Sequence, residues 1–234
     1  MRSLTLRLTA AAELGVRAKA DTGALNDWRK EALKLRRVLK AVRDTDVFRL
    51  KLAGFSERVA EGTDQGDCCR SEIEQLDQCL KTRRTKKALA AQVEIAARCK
   101  RLKRLSKGLE AALEVDPPAA AKEARRLARE AAGEFPSLDG DNLHAYRKRL
   151  KQALYLAELG TDAKTRRLAL KLRKMQGAVG DWHDWQALAE RAKKTLPVPS
   201  GASGADGLVA RLEGLAEEAL RRALGGCRDF EVAV

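Results

Sequence analysis

Aromatic side chains are scarce in this chain: three Trp, two Tyr and four Phe among 234 residues. Its basic tracts therefore lack the interleaved rings on which single-stranded bases stack. Only two histidines are present, His144 and His183. They fall on separate predicted helices, and no HExxH or GxxxxGK[ST] motif accompanies them. The five cysteines (Cys68, Cys69, Cys79, Cys99 and Cys227) are odd in number and show no CxxC spacing. That pattern gives neither a disulfide framework nor a zinc site, and it implies a reducing cytoplasm. Cys79 and Cys99 sit among Leu and Ala at helical spacing and are expected as small core residues. No run approaches the roughly 18–20 apolar residues of a membrane span. Residues 1–17 hold Arg2 and Arg7 but no long apolar run or cleavage site, so a signal peptide is not expected.

Proline is equally sparse, five in all, with four at positions 117, 118, 197 and 199. Long tracts are thus left open to helix. What fills them is mostly Ala, Leu, Arg, Glu and Lys, the strong helix formers. With 44% hydrophobic and 34% charged residues, the chain has the material of a soluble all-α protein with a real core. Breakers and caps predict a first helix to about Gly15, a second over 22–61, and a third over 68–112 with a break near 81–85. A short helix follows over 119–132, then one from a cap at Asp141 or Asn142 to Gly160. The next starts from a cap at Thr161 or Asp162 and stops near Pro197, and the last covers 208–224. The stretch 197–207 reads as a flexible linker.

The net charge is +14 and the pI about 9.8. Three tracts concentrate it: residues 1–60, 81–110 and 143–176 hold net charges of +7, +9 and +8. Like-charged helical tracts repel unless folded apart or bridged by a counter-anion.

The sequence also repeats. Leu33-Lys-Leu-Arg-Arg37, then Ala41-Val42 and Asp44, recurs as Leu170-Lys-Leu-Arg-Lys174, then Ala178-Val179 and Asp181, an offset of 137. A second register, offset 140, pairs Arg43-Asp44 with His183-Asp184. Upstream, Ala12-Glu13-Leu14-Gly15 echoes Ala157-Glu158-Leu159-Gly160 and sets Arg2 opposite Arg147. Two related helical halves follow, 1–138 and 139–234.

Residues 142–160 carry the densest chemistry. At 100° per residue, Leu143, Leu150, Leu154 and Ala157 make one apolar stripe. His144, Arg147, Lys148, Lys151 and Tyr155 fall on its flank, within roughly 100° of arc, while Arg149 points away. No carboxylate of the helix lies near His144, which weighs against acid–base or metal chemistry. A polyanion suits the face better: Arg presents a planar fork to phosphate oxygens, Lys a mobile point charge, and protonated His a further donor.

These residues carry a family resemblance. Leu143-His144-x-x-Arg147-x-x-x-Lys151-x-x-x-Tyr155 is similar to the His-x-x-Arg-x-x-x-Lys helix of the CHAD family (conserved histidine α-helical domain). Leu172-Arg-Lys-Met-Gln176-x-x-Val-Gly180-Asp-Trp-His183-Asp184 resembles that family's second helix, and Val42-Arg43-Asp44-x-Asp46-Val47 the matching segment of the first repeat. The resemblance implies two pseudo-symmetric antiparallel helical bundles, together one CHAD-like domain, with a basic cavity between them. It also implies binding of inorganic polyphosphate in the cytoplasm, attachment to polyphosphate granules, and no catalysis.

Carried over position by position, the site is His144, Arg147, Lys151 and Tyr155, with Lys148 added from the helical wheel. Arg2 is the first-repeat counterpart of Arg147, and Arg7 lies at the position of Gln152. Lys34, Arg37, Lys171 and Lys174 join from the long helices in the 137 register, with Arg43 and His183 as weaker members beside Asp44 and Asp184. Part of the basic tract 98–107 is expected to reach the anion. The family's histidine has no counterpart in the first repeat, and Gln152 replaces a second basic residue, which weakens the grip there.

The runner-up reading is nonspecific binding of DNA or RNA, though no helix-turn-helix, zinc finger or basic zipper is recognisable. An enzyme is the third reading. Asp181 and Asp184, at i, i+3 beside His183, are a candidate metal pair, and a helix-capping or inter-helix salt-bridge role explains them more simply. We expect no catalytic residue, no metal, no cofactor and no membrane partner.

Overall fold

The computed structural model describes residues 22–60, 69–107, 116–196 and 207–231, all helix and connecting turn. Six helices are seen among them: α1 (Thr22–Ala60), α2 (Arg70–Ser106), α3 (Pro117–Glu134), α4 (Leu143–Ala157), α5 (Ala163–Thr195) and α6 (Leu208–Glu231). The expected helix before Gly15, Cys68 and most of the 197–207 linker lie outside the described residues. None of these helices is long and apolar enough to cross a membrane.

The helix ends follow from local chemistry. Pro117 and Pro118 begin α3 rather than preceding it, because their absent N–H groups fall where a helix has no internal acceptor and their φ is already helical. Asp162 caps α5: its carboxylate accepts the Thr165 amide at 2.9 Å and the Thr165 hydroxyl at 2.6 Å. These bonds hold the Asp162 carboxyl below its ordinary range, the Thr165 hydroxyl contributing most. The expected break at 81–85 is absent. Thr82 and Thr85 donate to the carbonyls of Gln78 and Lys81 one turn back, so their hydroxyls follow the helix instead of interrupting it.

The chain divides into two compact units. The first comprises 1–38, 93–179 and 223–234, and the second 39–92 and 180–222, so α1, α2, α5 and α6 each give a segment to both.

In the first unit α3 buries a face made wholly of alanine, Ala120, Ala121, Ala124, Ala128 and Ala131. Such a face lets α4 pack close. The two form an antiparallel hairpin, shown by Arg149–Glu134 at 3.0 Å and the edge-on contact of Phe135 with Tyr146, centroids 5.7 Å apart. The same unit holds the Trp28 indole N–H to Ser106 Oγ at 3.0 Å and Arg98 to Glu31 at 2.8 Å, which run α1 and α2 antiparallel. Gly160, in the α4–α5 turn, is required by close approach: a Cβ there would stand 2.6 Å from Thr165 Cγ2.

In the second unit, Arg49–Asp77 at 3.0 Å and Arg84–Asp46 join antiparallel α1 and α2. Lys193–Glu213 and Arg222–Asp181 do the same for α5 and α6. Lys51 links α1 to α5 through Asp181 and lies 4.6 Å over the Trp185 ring. The Glu72 carboxylate of α2 receives the first amide of α6, Leu208 N–H, at 2.7 Å, a cap supplied by another helix. The core holds Leu52, Phe55, Leu76, Leu80, Trp182, Trp185 and Leu188.

Cys69 and Cys227 are buried and Cys99 half-buried, but Cys79 is exposed. Ile73, Leu76 and Leu80 form the buried stripe of this stretch of α2. Position 79 stands 100° from position 80, off that stripe, and helical spacing among apolar letters did not reveal which face was inward.

Candidate functional site

The face read from residues 142–160 begins in a turn that aims α4. Asp139 accepts the amides of Asp141 at 2.9 Å and Asn142 at 3.0 Å, while Asn142 Oδ1 accepts the Asp139 amide at 3.1 Å. This reciprocal arrangement is a capping box. Asp139 therefore does the capping expected of Asp141 or Asn142, and Asn142, directly before α4, makes no side-chain bond to its first turn.

The buried side of α4 comprises Leu143, Tyr146, Leu150, Ala153, Leu154, Leu156 and Ala157. It is wider than the predicted stripe by Tyr146, Ala153 and Leu156. Beside it, His144, Arg147, Lys151 and Tyr155 are half-buried, and Lys148 is exposed. The Nδ1 of His144 and the Nε of Arg147 are themselves shielded from solvent. Arg149 points outward to Glu134, as the wheel predicts. From α5, the Gln176 amide reaches back and donates to the Arg147 main-chain carbonyl at 2.9 Å. Gln176 appears in the motif on its sequence, but nothing there shows that it ties α5 to the cationic helix.

His144, Arg147, Lys148, Lys151, Tyr155, Lys34, Arg37, Lys171 and Lys174 all belong to the first unit. The weaker members, Arg43 and His183, belong to the second. Arg2 and Arg7 lie outside the described residues. Arg43 is paired with Asp44 at 3.4 Å, and Lys40 engages the same carboxylate. His183 is half-buried.

Ion pairing sorts the cations further. Glu31 is buried at 4% exposure, and Arg98, Arg101 and Lys34 surround it at 2.8, 3.9 and 4.0 Å. Hydrogen bonds to Glu94 and Glu31 hold the Arg98 guanidinium more firmly charged than usual. Arg98 is thus a structural member of the 98–107 tract, whereas Lys100, Lys103, Arg104 and Lys107 are exposed and make no ion pair with described residues. Arg37, Lys148 and Lys174, from α1, α4 and α5, share that condition.

Asp181 stands in ion pairs with Lys51 and Arg222, the inter-helix role the sequence favoured for it. Among the described residues no group of three His, Cys, Asp or Glu side chains is placed to hold a metal ion.

Among the described residues the protein is all helix and turn, and its first unit carries exposed cations without ion-pair partners on α1, α2, α4 and α5. Residues 1–193 match the family model of the CHAD domain, and the chain belongs to that family. No curated protein and no solved structure matches it.

Proposed function

We propose that this protein binds inorganic polyphosphate through a basic channel lined by the first unit's Arg, Lys and His side chains. One observation carries the reading. Arg37, Lys148 and Lys174 come from three helices of one unit, all are exposed, and no carboxylate among the described residues engages them. Ordinary surface cations are commonly paired or spread; here the counter-charge is left to a ligand. Membership of the CHAD family supports the same ligand.

In this reading His144, Arg147, Lys151 and Tyr155 line the channel wall, and Lys171 joins them from α5. The two sequence halves would form pseudo-symmetric bundles, with Arg2 and Arg7 completing the first-repeat side. The protein would act by binding rather than catalysis, and it would sit on polyphosphate granules in the cytoplasm. Polyphosphate carries about one negative charge per phosphate, so binding should release counterions and fall steeply with salt.

The test is a competition among long-chain polyphosphate, duplex DNA and single-stranded RNA at one salt concentration. Polyphosphate should win by orders of magnitude and stay bound at about 150–200 mM salt, the range over which nonspecific phosphate contacts weaken strongly. Arg147→Ala and Lys151→Ala should each reduce its affinity in a protein that remains folded. If the three polymers bind alike and release together, the cations form a diffuse surface and nucleic-acid binding is the better description.

A further inference from the structure

Four large apolar side chains of the described residues stand well out of the core: Leu50, Leu89, Val93 and Leu170, exposed at 74, 66, 79 and 63%. Leu50 and Leu170 stand singly on α1 and α5, and a scattered apolar residue at a surface is ordinary. Leu89 and Val93 differ, because they lie at i, i+4 on α2 and adjoin on one face. With Leu89 set at 0°, Val93, Ala96 and Ala97 fall at about 40°, −20° and 80° around the helix. Both alanines are exposed as well. The buried residues of the same stretch, Ala91 and Leu102, fall at about 200° and 220°. The apolar stripe therefore faces away from the core that α2 helps to build.

Its ends are basic. Lys86 and Lys100, at about 60° and 20°, stand on the same arc, both exposed and without an ion pair among the described residues. Glu94 is the only carboxylate between positions 78 and 107, and Arg98 engages it at 2.6 Å. Helix formation gives no reason for this composition, since a β-branched Val in an exposed helix interior forms helix less readily than Ala or Lys. An apolar stripe closed at both ends by ammonium groups is instead the pattern of a docking face for another helix. Its alanines let two backbones come close, as the alanine face of α3 does for α4.

We propose that this face of α2 docks an amphipathic helix of a partner protein that carries carboxylates at both ends of its own apolar stripe. Charge decides the occupant. Lys86 and Lys100 are separated by four turns, so the partner's acidic groups should lie about 21 Å apart along its axis. A second copy of α2 does not fit. Packed antiparallel about Val93 it sets Lys86 against Lys100, and packed parallel in register it sets each lysine against itself. Like charges so opposed count against that pairing. A nucleic acid or other polyanion would use the lysines but leave Leu89 and Val93 in water. A lipid surface calls for a longer stripe with Trp or Phe among its residues, and this one has neither. α2 alone supplies the face, independently of the cations assigned to polyphosphate on α1, α4 and α5.

The probe is a fluorescein-labelled synthetic helix with a Leu/Ala stripe and Glu at both ends of that stripe. It is titrated against the full chain by fluorescence anisotropy, beside a version with Lys for each Glu and a version with Gln for each stripe Leu. Only the first should bind. Leu89→Gln/Val93→Gln and Lys86→Glu/Lys100→Glu should each weaken it at least about tenfold. Neither pair should shift the melting temperature, since all four side chains are exposed. Lys86→Glu/Lys100→Glu should in turn take up the Lys version. Leu89→Gln/Val93→Gln should keep its polyphosphate affinity, so failure here and failure of the polyphosphate reading are seen separately. The docking face is overturned if the first peptide does not bind, if the Gln version binds as well, or if Leu89→Gln/Val93→Gln binds like the parent. A dimer, or flotation with phosphatidylserine vesicles, that Leu89→Gln/Val93→Gln abolishes overturns it too, giving the face to a second copy or to lipid.

Discussion

The side-chain amide of Gln176 donates to the main-chain carbonyl of Arg147 at 2.9 Å. That carbonyl already belongs to the hydrogen-bond ladder of α4, so Gln176 occupies its second lone pair and fixes α5 against the cationic helix. Gln176→Ala should lower the unfolding free energy by about 1 kcal/mol, the usual net worth of such a bond. It should also weaken polyphosphate binding with every basic residue still in place. Urea denaturation and calorimetric titration of one preparation separate the two effects; unchanged affinity would make the contact purely structural.

Arg37→Ala, Lys148→Ala and Lys174→Ala should each leave stability within about 0.5 kcal/mol of the parent, since each side chain is exposed and without an ion pair among the described residues. Each should flatten the dependence of log affinity on log salt by about one phosphate contact. Lys34→Ala should change the slope less, because Lys34 lies beside Glu31. Titrations at four or more salt concentrations give the slopes.

Gly160→Ala should destabilise the protein by roughly 1–3 kcal/mol, the range for overpacking, because the new Cβ meets Thr165 Cγ2 at 2.6 Å. Thr165→Ser removes that methyl and keeps the hydroxyl that bonds Asp162. The double variant should therefore be more stable than Gly160→Ala alone. A double-mutant cycle in urea measures the recovery.

Asp77 predicts a pH dependence. Burial raises its pKa, but hydrogen bonds from Lys81 and Arg49 and their charges outweigh this and hold it below 3.8. The folded value lies under the unfolded one, so the stabilisation is fully present above about pH 5. It is lost as pH falls through the folded value, below 3.8. Asp77→Asn should lower the melting temperature at neutral pH and flatten its decline between about pH 5 and 3. Parallel declines in parent and variant would show that Asp77 does not govern acid unfolding.

Much of the fold was legible because breakers and caps act locally. Asp162 and the 208 start were readable from a few residues, and the α4 face from its 100° arithmetic. What escaped depended on partners distant in sequence. The width of the α4 core came from the alanine face of α3, and the cap of α6 from Glu72 on α2. Thr82 and Thr85 looked like breakers until their hydroxyls found carbonyls one turn back. For the site, residue type marked the cations of α4, but it could not tell Arg98, committed to Glu31, from Arg104, which makes no ion pair with described residues.

Four helices that each feed both units leave no single peptide bond whose cleavage would release either unit whole. A cut between 138 and 139, the boundary expected from the repeated motifs, would divide both at once. Neither fragment would hold a complete core, and each would expose apolar stripes built to face segments of the other. The units therefore do not coincide with the halves expected from the sequence repeat, and a deletion that starts anywhere between 93 and 179 would disrupt both units together.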